Sequence, residues 1–108
     1  TVVVFASNVM GSNPDLGAIL MKSFIFSLTK QDALPDEMIF YNDGVKITTT
    51  KSETLEDLKY LADNGVEIVS CGTCLDFFHL KEELQVGSVT NMYDIVERME
   101  KADKIIKP

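Results

Sequence analysis

The chain contains no tryptophan, one histidine, two cysteines and three prolines in 108 residues. Two cysteines in a chain of this size make no disulfide framework, which small secreted domains build from more of them. Cys71, Cys74 and His79 fall short of the four ligands that close a structural zinc site, so only an intersubunit site would complete one. We expect no metal and no cofactor. Basic residues are also scarce, 10 Lys and Arg against 17 Asp and Glu, for a net charge of −7. That balance excludes the basic footprint through which a domain binds nucleic acid or an anionic lipid surface. No apolar run approaches the roughly 18 residues of a membrane helix. The opening "TVVVFAS" is apolar but lacks the basic lead of a signal peptide, and it reads as a first strand. Cysteine usage without a secretory signal predicts a reducing cytoplasm. The first residue is Thr1 rather than Met, from which we expect a trimmed start or a domain cut from a longer protein.

What is present is a pattern of short apolar stretches alternating with amphipathic ones, 45% apolar in total, which predicts one domain over residues 1–108. Val2 to Ala6 is nearly continuous in apolar residues, as a strand buried on both faces would be. After the polar turn "SNVMGSNPD", Asp15 is expected to cap a helix carrying Leu16, Ile19, Leu20, Phe24 and Leu28. "EMIFYN" is the second strand, and "DGVKITTTKS" a loop with a short β excursion through Val45 to Thr49. Ser52 or Thr54 opens a helix with Leu55, Leu58, Leu61 and Ala62, Thr54 and Asp57 resembling a capping box. Gly65 suits the left-handed position that ends it. "VEIVS" is the third strand and leads into a helix from about Cys74 to Leu84. A short strand around Val86 to Val89 follows. Asn91 then caps a helix with Met92, Ile95, Val96 and Met99 on one face, and "DKIIKP" is the fifth strand.

Strands alternating with helices at this spacing predict an α/β fold: three layers, a five-stranded mainly parallel sheet with helices on both faces. Right-handed crossovers favour a small doubly wound sheet of flavodoxin-like order 2-1-3-4-5. In that order the switch point lies between strands one and three. The loops Ser7–Pro14 and Cys71–Cys74 would then share one rim, where such folds place their chemistry.

The segment "VSCGTCLDFF" holds both cysteines. A thiol is nucleophilic as thiolate, and a strand-to-helix turn favours that form through unpaired N–H groups and the helix dipole. Cys71, at the end of the strand, is well placed for that field. Gly72 allows the sharp turn, and Gly72 and Thr73 bring backbone amides near the sulfur. Cys74, about one turn on, could reach Cys71 to resolve a sulfenate, persulfide or mixed disulfide. The plainer alternative is two buried structural thiols. A thioredoxin-like exchange pair fits less well, because the pair follows the third strand rather than an early one and no proline is suitably placed. Ser7, Asn8 and Gly11 ahead of a helix could hold a phosphate, as for a bound flavin, or a small sulfur anion. The absence of tryptophan and of an aromatic pair argues against the flavin. Lys46, beyond strand two, would favour a thiolate, and Asn91 and Tyr93 stand near the same rim. His79 is more simply a polar flank than a ligand or base. Leu75 and Phe78 can face the core, which points Phe77 elsewhere, toward Leu84, and suggests a subunit contact.

The stretches "SNVMG", "LGAILMKSFIFSLT", "FYNDGVK", "VEIVSCGTCLDFF" and "VGSVTNMYDIVERMEKADKIIKP" resemble the C-terminal domain of the YedF family, sulfurtransferase-like proteins associated with selenium metabolism, within the DsrE/DsrF-like superfamily. The resemblance is collinear and spans essentially the whole chain. It implies a five-stranded DsrE-like α/β fold, assembly into homo-oligomers, often trimers or hexamers, and persulfide-type sulfur handling at a cysteine that opens the helix after the third strand. Cys71 falls on that position, and Cys74 is the extra cysteine of a CxxC version. YedF proteins usually carry an N-terminal TusA-like domain that is not seen in this chain. The resemblance therefore implies either an excised domain or a separate TusA-like partner. It does not establish that the chain is an active enzyme.

Overall fold

A computed structural model describes all 108 residues. Five strands, β1 (Val2–Phe5), β2 (Glu37–Phe40), β3 (Glu67–Cys71), β4 (Ser88–Thr90) and β5 (Ile105–Ile106), form one sheet in which every pairing is parallel. The helices are α1 (Pro14–Thr29), α2 (Leu55–Asp63), α3 (Gly72–Phe77) and α4 (Met92–Lys101). This is the α/β class expected, a parallel sheet covered on both faces. The neighbour order is β4-β3-β2-β1-β5, where 2-1-3-4-5 was expected. The chain steps outward in one direction from β1 to β4 and then crosses the whole sheet, so that β5 pairs with the opposite side of β1. Consequently β2, not β1, lies beside β3.

The two faces are unequally covered. On one, Val3, Phe5, Met38, Phe40 and Ile68 pack against Met21 and Ile25 of α1, Leu58 and Leu61 of α2, and Leu75 of α3. On the other, Val2, Val4, Ile39, Val69 and Cys71 meet Ile95 of α4, with Met99 and Ala102 at its margin. Strands this short, buried on both sides, must be apolar throughout, which is why "VVVF" carries no alternation.

Several local expectations are corrected. Asn13, not Asp15, caps α1: its side chain accepts the N–H of Leu16 at 2.9 Å, with Pro14 in the first turn. The inward stripe of α1 is Gly17, Met21, Phe24, Ile25 and Leu28, leaving Leu16, Ile19 and Leu20 exposed. Thr54 stands at the N-cap of α2 but makes no capping bond, because its hydroxyl pairs with Ser52 Oγ at 2.9 Å. The "NDGVKIT" segment is a 3-10 helix, Asn42–Thr48, rather than a β excursion, and only Thr49 makes a bridge, to Leu84. There Gly44 lies so near the end of β1 that a Cβ would stand 2.1 Å from the Phe5 carbonyl oxygen. β4 begins at Ser88 rather than near Val86.

The third helix is shorter than expected. It starts at Gly72 and stops at Phe77, because the Leu80 N–H bonds to the Leu75 carbonyl and the His79 N–H to that of Asp76. That pairing is a Schellman stop, with His79 in the left-handed position (φ 57°) that glycine usually takes. The single histidine is thus a helix terminator. Leu84, expected to share a stripe with Phe77, packs against the main core instead. No helix is long and apolar enough to cross a membrane.

Candidate functional site

The two cysteines lie at the carboxyl edge of the sheet, where β3 passes into α3. Cys71 is the last residue of β3 and the N-cap of α3. Its side chain packs in the smaller core with Ile95, and only 2% of the residue is exposed. Cys74 is half-buried and touches both cores. Both thiols are free, and both pack against the smaller core at the start of α3. Gly72 is buried between them. A Cβ there would stand 3.0 Å from Val89 Cγ1 and 3.3 Å from the Thr90 carbonyl oxygen, so a side chain would fit under β4 only if these neighbours gave by a few tenths of an ångström. Thr73 is exposed beside it.

The nearest polar neighbours are not those singled out in the sequence. Asn42 donates its backbone N–H to Cys74 Sγ at 3.1 Å. It can do so because β2 adjoins β3 and because Asn42 takes a left-handed turn (φ 54°), which asparagine tolerates better than most residues. Thr90 is the register partner of Cys71 on β4. The Lys81 ammonium stands 3.9 Å from the position of a Gly72 Cβ and pairs with Asp76 at 3.3 Å. The "YNDG" turn after a strand was a usable signal for Asn42. Lys81 comes beside the Gly72 turn only because α3 stops at Phe77.

Burial is the largest influence on the Cys74 thiol and pushes its pKa above the ordinary cysteine value. The Asn42 N–H works in the opposite direction, and neighbouring Cys71 raises it further. Cys74 is therefore a thiol at neutral pH, with one N–H already aimed at its sulfur. With only six residues, α3 offers little dipole to offset this.

The other expected residues divide. Asn91 follows Thr90 and caps α4, its side chain accepting the Asp94 N–H at 2.9 Å. Tyr93, in the first turn of α4, is 81% exposed. Ser7 accepts the N–H of Val9 at 3.1 Å and so serves its own turn. Asn8 and Gly11 are exposed on the same loop, Gly11 in a left-handed conformation (φ 77°). That loop leaves the same carboxyl edge after β1, but β2 lies between β1 and β3, so it is not the direct neighbour of the cysteines that the expected order made it. Lys46 is paired with Asp43 at 3.1 Å and lies over the Phe78 ring at 4.5 Å. A recess of about 660 Å³ is lined by Asn8 and Lys46 but by neither cysteine. No three His, Cys, Asp or Glu side chains are grouped to hold a metal ion.

A five-stranded parallel sheet in the order 4-3-2-1-5, with free cysteines at the β3–α3 junction, defines a compact α/β class. The chain belongs to the DsrE/DsrF-like family, whose model matches residues 10–108, and that family is in general tied to sulfur relay. Solved structures share the fold. MTH1491 of Methanobacterium thermoautotrophicum, a protein of unknown function, superposes with a TM-score of 0.71 at 21% identity, over 99% of this chain and 97% of its own. The ychN protein of E. coli gives 0.74 at 18% identity, over 100% and 98%. BT1422 of Bacteroides thetaiotaomicron, a conserved protein of unknown function, gives 0.66 at 13% identity, over 99% and 93%. At these identities the likeness is one of fold alone. A search of curated protein sequences gives no significant match.

Proposed function

We propose that the chain carries sulfane sulfur as a cysteine persulfide, with Cys71 as the carrier and Cys74 as its relay or resolving thiol. The supporting observation is two free thiols packed against the same small core at the β3–α3 junction, one sheltered and one half-open, in a chain of the DsrE/DsrF-like family. The Cys74 thiol attacks the outer sulfur of a donor persulfide, and its proton passes to the donor thiolate that leaves as the donor S–S bond breaks. The sulfur is passed on without net oxidation. The half-open Cys74 meets the donor first, and the Asn42 N–H steadies negative charge on its sulfur. Passage to Cys71 then stores the sulfur under α4, away from soluble reductants.

The stretches that resemble the YedF C-terminal domain support a TusA-like exchange partner, a cytoplasmic setting and selenium as an alternative cargo. Homo-oligomeric assembly belongs to the same proposal. Phe77 (76% exposed), Val89, Met92 and Tyr93 are exposed apolar residues on α3, β4 and the first turn of α4, the elements that flank the cysteines. One observation favours a second reading: the near-complete burial of Cys71 also suits a structural thiol in a non-catalytic oligomeric module.

Intact-mass analysis after anaerobic incubation with a cysteine desulfurase and cysteine separates the two. A reductant-labile sulfur adduct is expected on the wild type, mapped by peptide mass to Cys71, whereas Cys71→Ser should hold sulfur only on Cys74, where reductant strips it faster. Cys74→Ser is expected to load more slowly. An adduct as resistant to reductant in Cys71→Ser as in the wild type overturns the carrier assignment. No adduct from any persulfide donor favours the structural module.

A further inference from the structure

A well-formed recess lies away from the cysteine site. It opens between α1, the segment after the 3-10 helix, and the end of α3, and its volume of about 660 Å³ is that of a small-molecule site. Its charge is the reverse of the chain's. In a protein of net charge −7, Lys22, Lys46 and Lys51 all line this one recess. Two are held by weak exposed pairs, Lys22 to Glu53 at 3.3 Å and Lys46 to Asp43 at 3.1 Å, and such pairs yield to a better anion at little cost. Lys51 has no carboxylate within ion-pair distance.

The rest of the lining is mixed. Met21, Ile47, Phe78 and Leu80 give it an apolar side, and the Phe78 ring already lies under the Lys46 ammonium at 4.5 Å. Ser52 and Thr54 bond each other at 2.9 Å, which leaves one of their hydroxyl hydrogens free to donate to an oxyanion, while Thr50 already donates to the Glu83 carbonyl. Glu53 and Glu83 also line it, so local charge is only modestly positive and a highly charged polyanion is not favoured.

We infer that this recess binds a small organic anion: a phosphate, sulfonate or carboxylate head set among Lys22, Lys46 and Lys51, with an apolar body against Phe78, Ile47 and Leu80. Because neither cysteine lines the recess, the inference stands apart from the sulfur-carrier reading and can hold if that reading fails.

The test is amide NMR of the full chain titrated with phenyl phosphate, with inorganic phosphate and phenol as part-ligands. Saturable shifts are expected at the amides of 46–54 and 78–80. Inorganic phosphate should bind about tenfold more weakly, for want of the apolar contact. Lys51→Gln, at an exposed position, should weaken phenyl phosphate about three- to tenfold and leave the thermal midpoint unchanged. Lys22→Gln should behave in the same way. Shifts that fail to saturate, that fall on α4 instead, or that are as strong with phenol overturn the inference. So does equal affinity in both lysine variants and the wild type.

Discussion

Cys74 is a residue whose chemistry runs against its position. A thiol at a strand-to-helix turn is expected to ionise easily, yet burial keeps this one protonated, and only the Asn42 N–H opposes that. Its alkylation by iodoacetamide, followed by peptide mass analysis, should accelerate with pH to beyond the ordinary cysteine range before levelling off. An inflection below the ordinary value would contradict the burial described. The stability sign follows from the same shift. The folded protein holds this proton to a higher pH than the unfolded chain does, so the contribution is whole below the ordinary cysteine pKa. It is lost as pH rises through the folded value. The sequence disclosed the cysteine pair and its place after the third strand. It could not disclose which thiol is open, since exposure depends on α4 lying across β3.

Among the elements, α4 covers its face of the sheet alone, and a single guanidinium holds it there. Arg98 bonds to Asp94 at 2.6 Å, to Glu37 at 2.6 Å and to Glu67, the latter two at the starts of β2 and β3. Partial burial alone would weaken its charge, but the three carboxylates more than offset this and raise its pKa. Asp94 in turn is held below the usual carboxylate range by the Thr90 hydroxyl and by Arg98. Arg98→Met should cost about 2 kcal/mol in urea unfolding, since three facing carboxylates lose their partner in a half-buried setting. It should also raise the alkylation rate of Cys71, which α4 covers, more than that of Cys74. An unchanged Cys71 rate would show that the ion cluster does not keep α4 in place. The caps of α4 and the glycine after α2 were legible from local residues, because capping is a local bond. The 3-10 helix and the early stop of α3 were not. Their causes are the neighbouring Phe5 carbonyl for one and a histidine acting as a glycine for the other.

For the whole molecule, the class of fold was readable because strands buried on both faces must be apolar along their length, and helices between them must be amphipathic. The order of strands was not, because every crossover is long enough to reach more than one neighbour. That error moved the expected site: with β2 between them, the β1 loop and the cysteines face different surroundings. The same scale carries the proposal of assembly. Leu16, Ile19 and Leu20 on α1 and Met92, Tyr93 and Val96 on α4 are apolar and exposed, on opposite sides of the sheet. Light scattering behind size exclusion should give a multiple of the chain mass, and Phe77→Asp with Tyr93→Asp should lower it toward the monomer. A wild-type monomer at high micromolar concentration would remove the oligomer from the proposal. β5, finally, is two residues long and pairs only with Val2 and Val3 of β1. Without it, the backbone of "VVVF" becomes an open edge, apolar on both faces and carrying no charge to repel a second strand. The last few residues therefore guard against aggregation, and damage at that end would be felt as loss of solubility before any loss of chemistry.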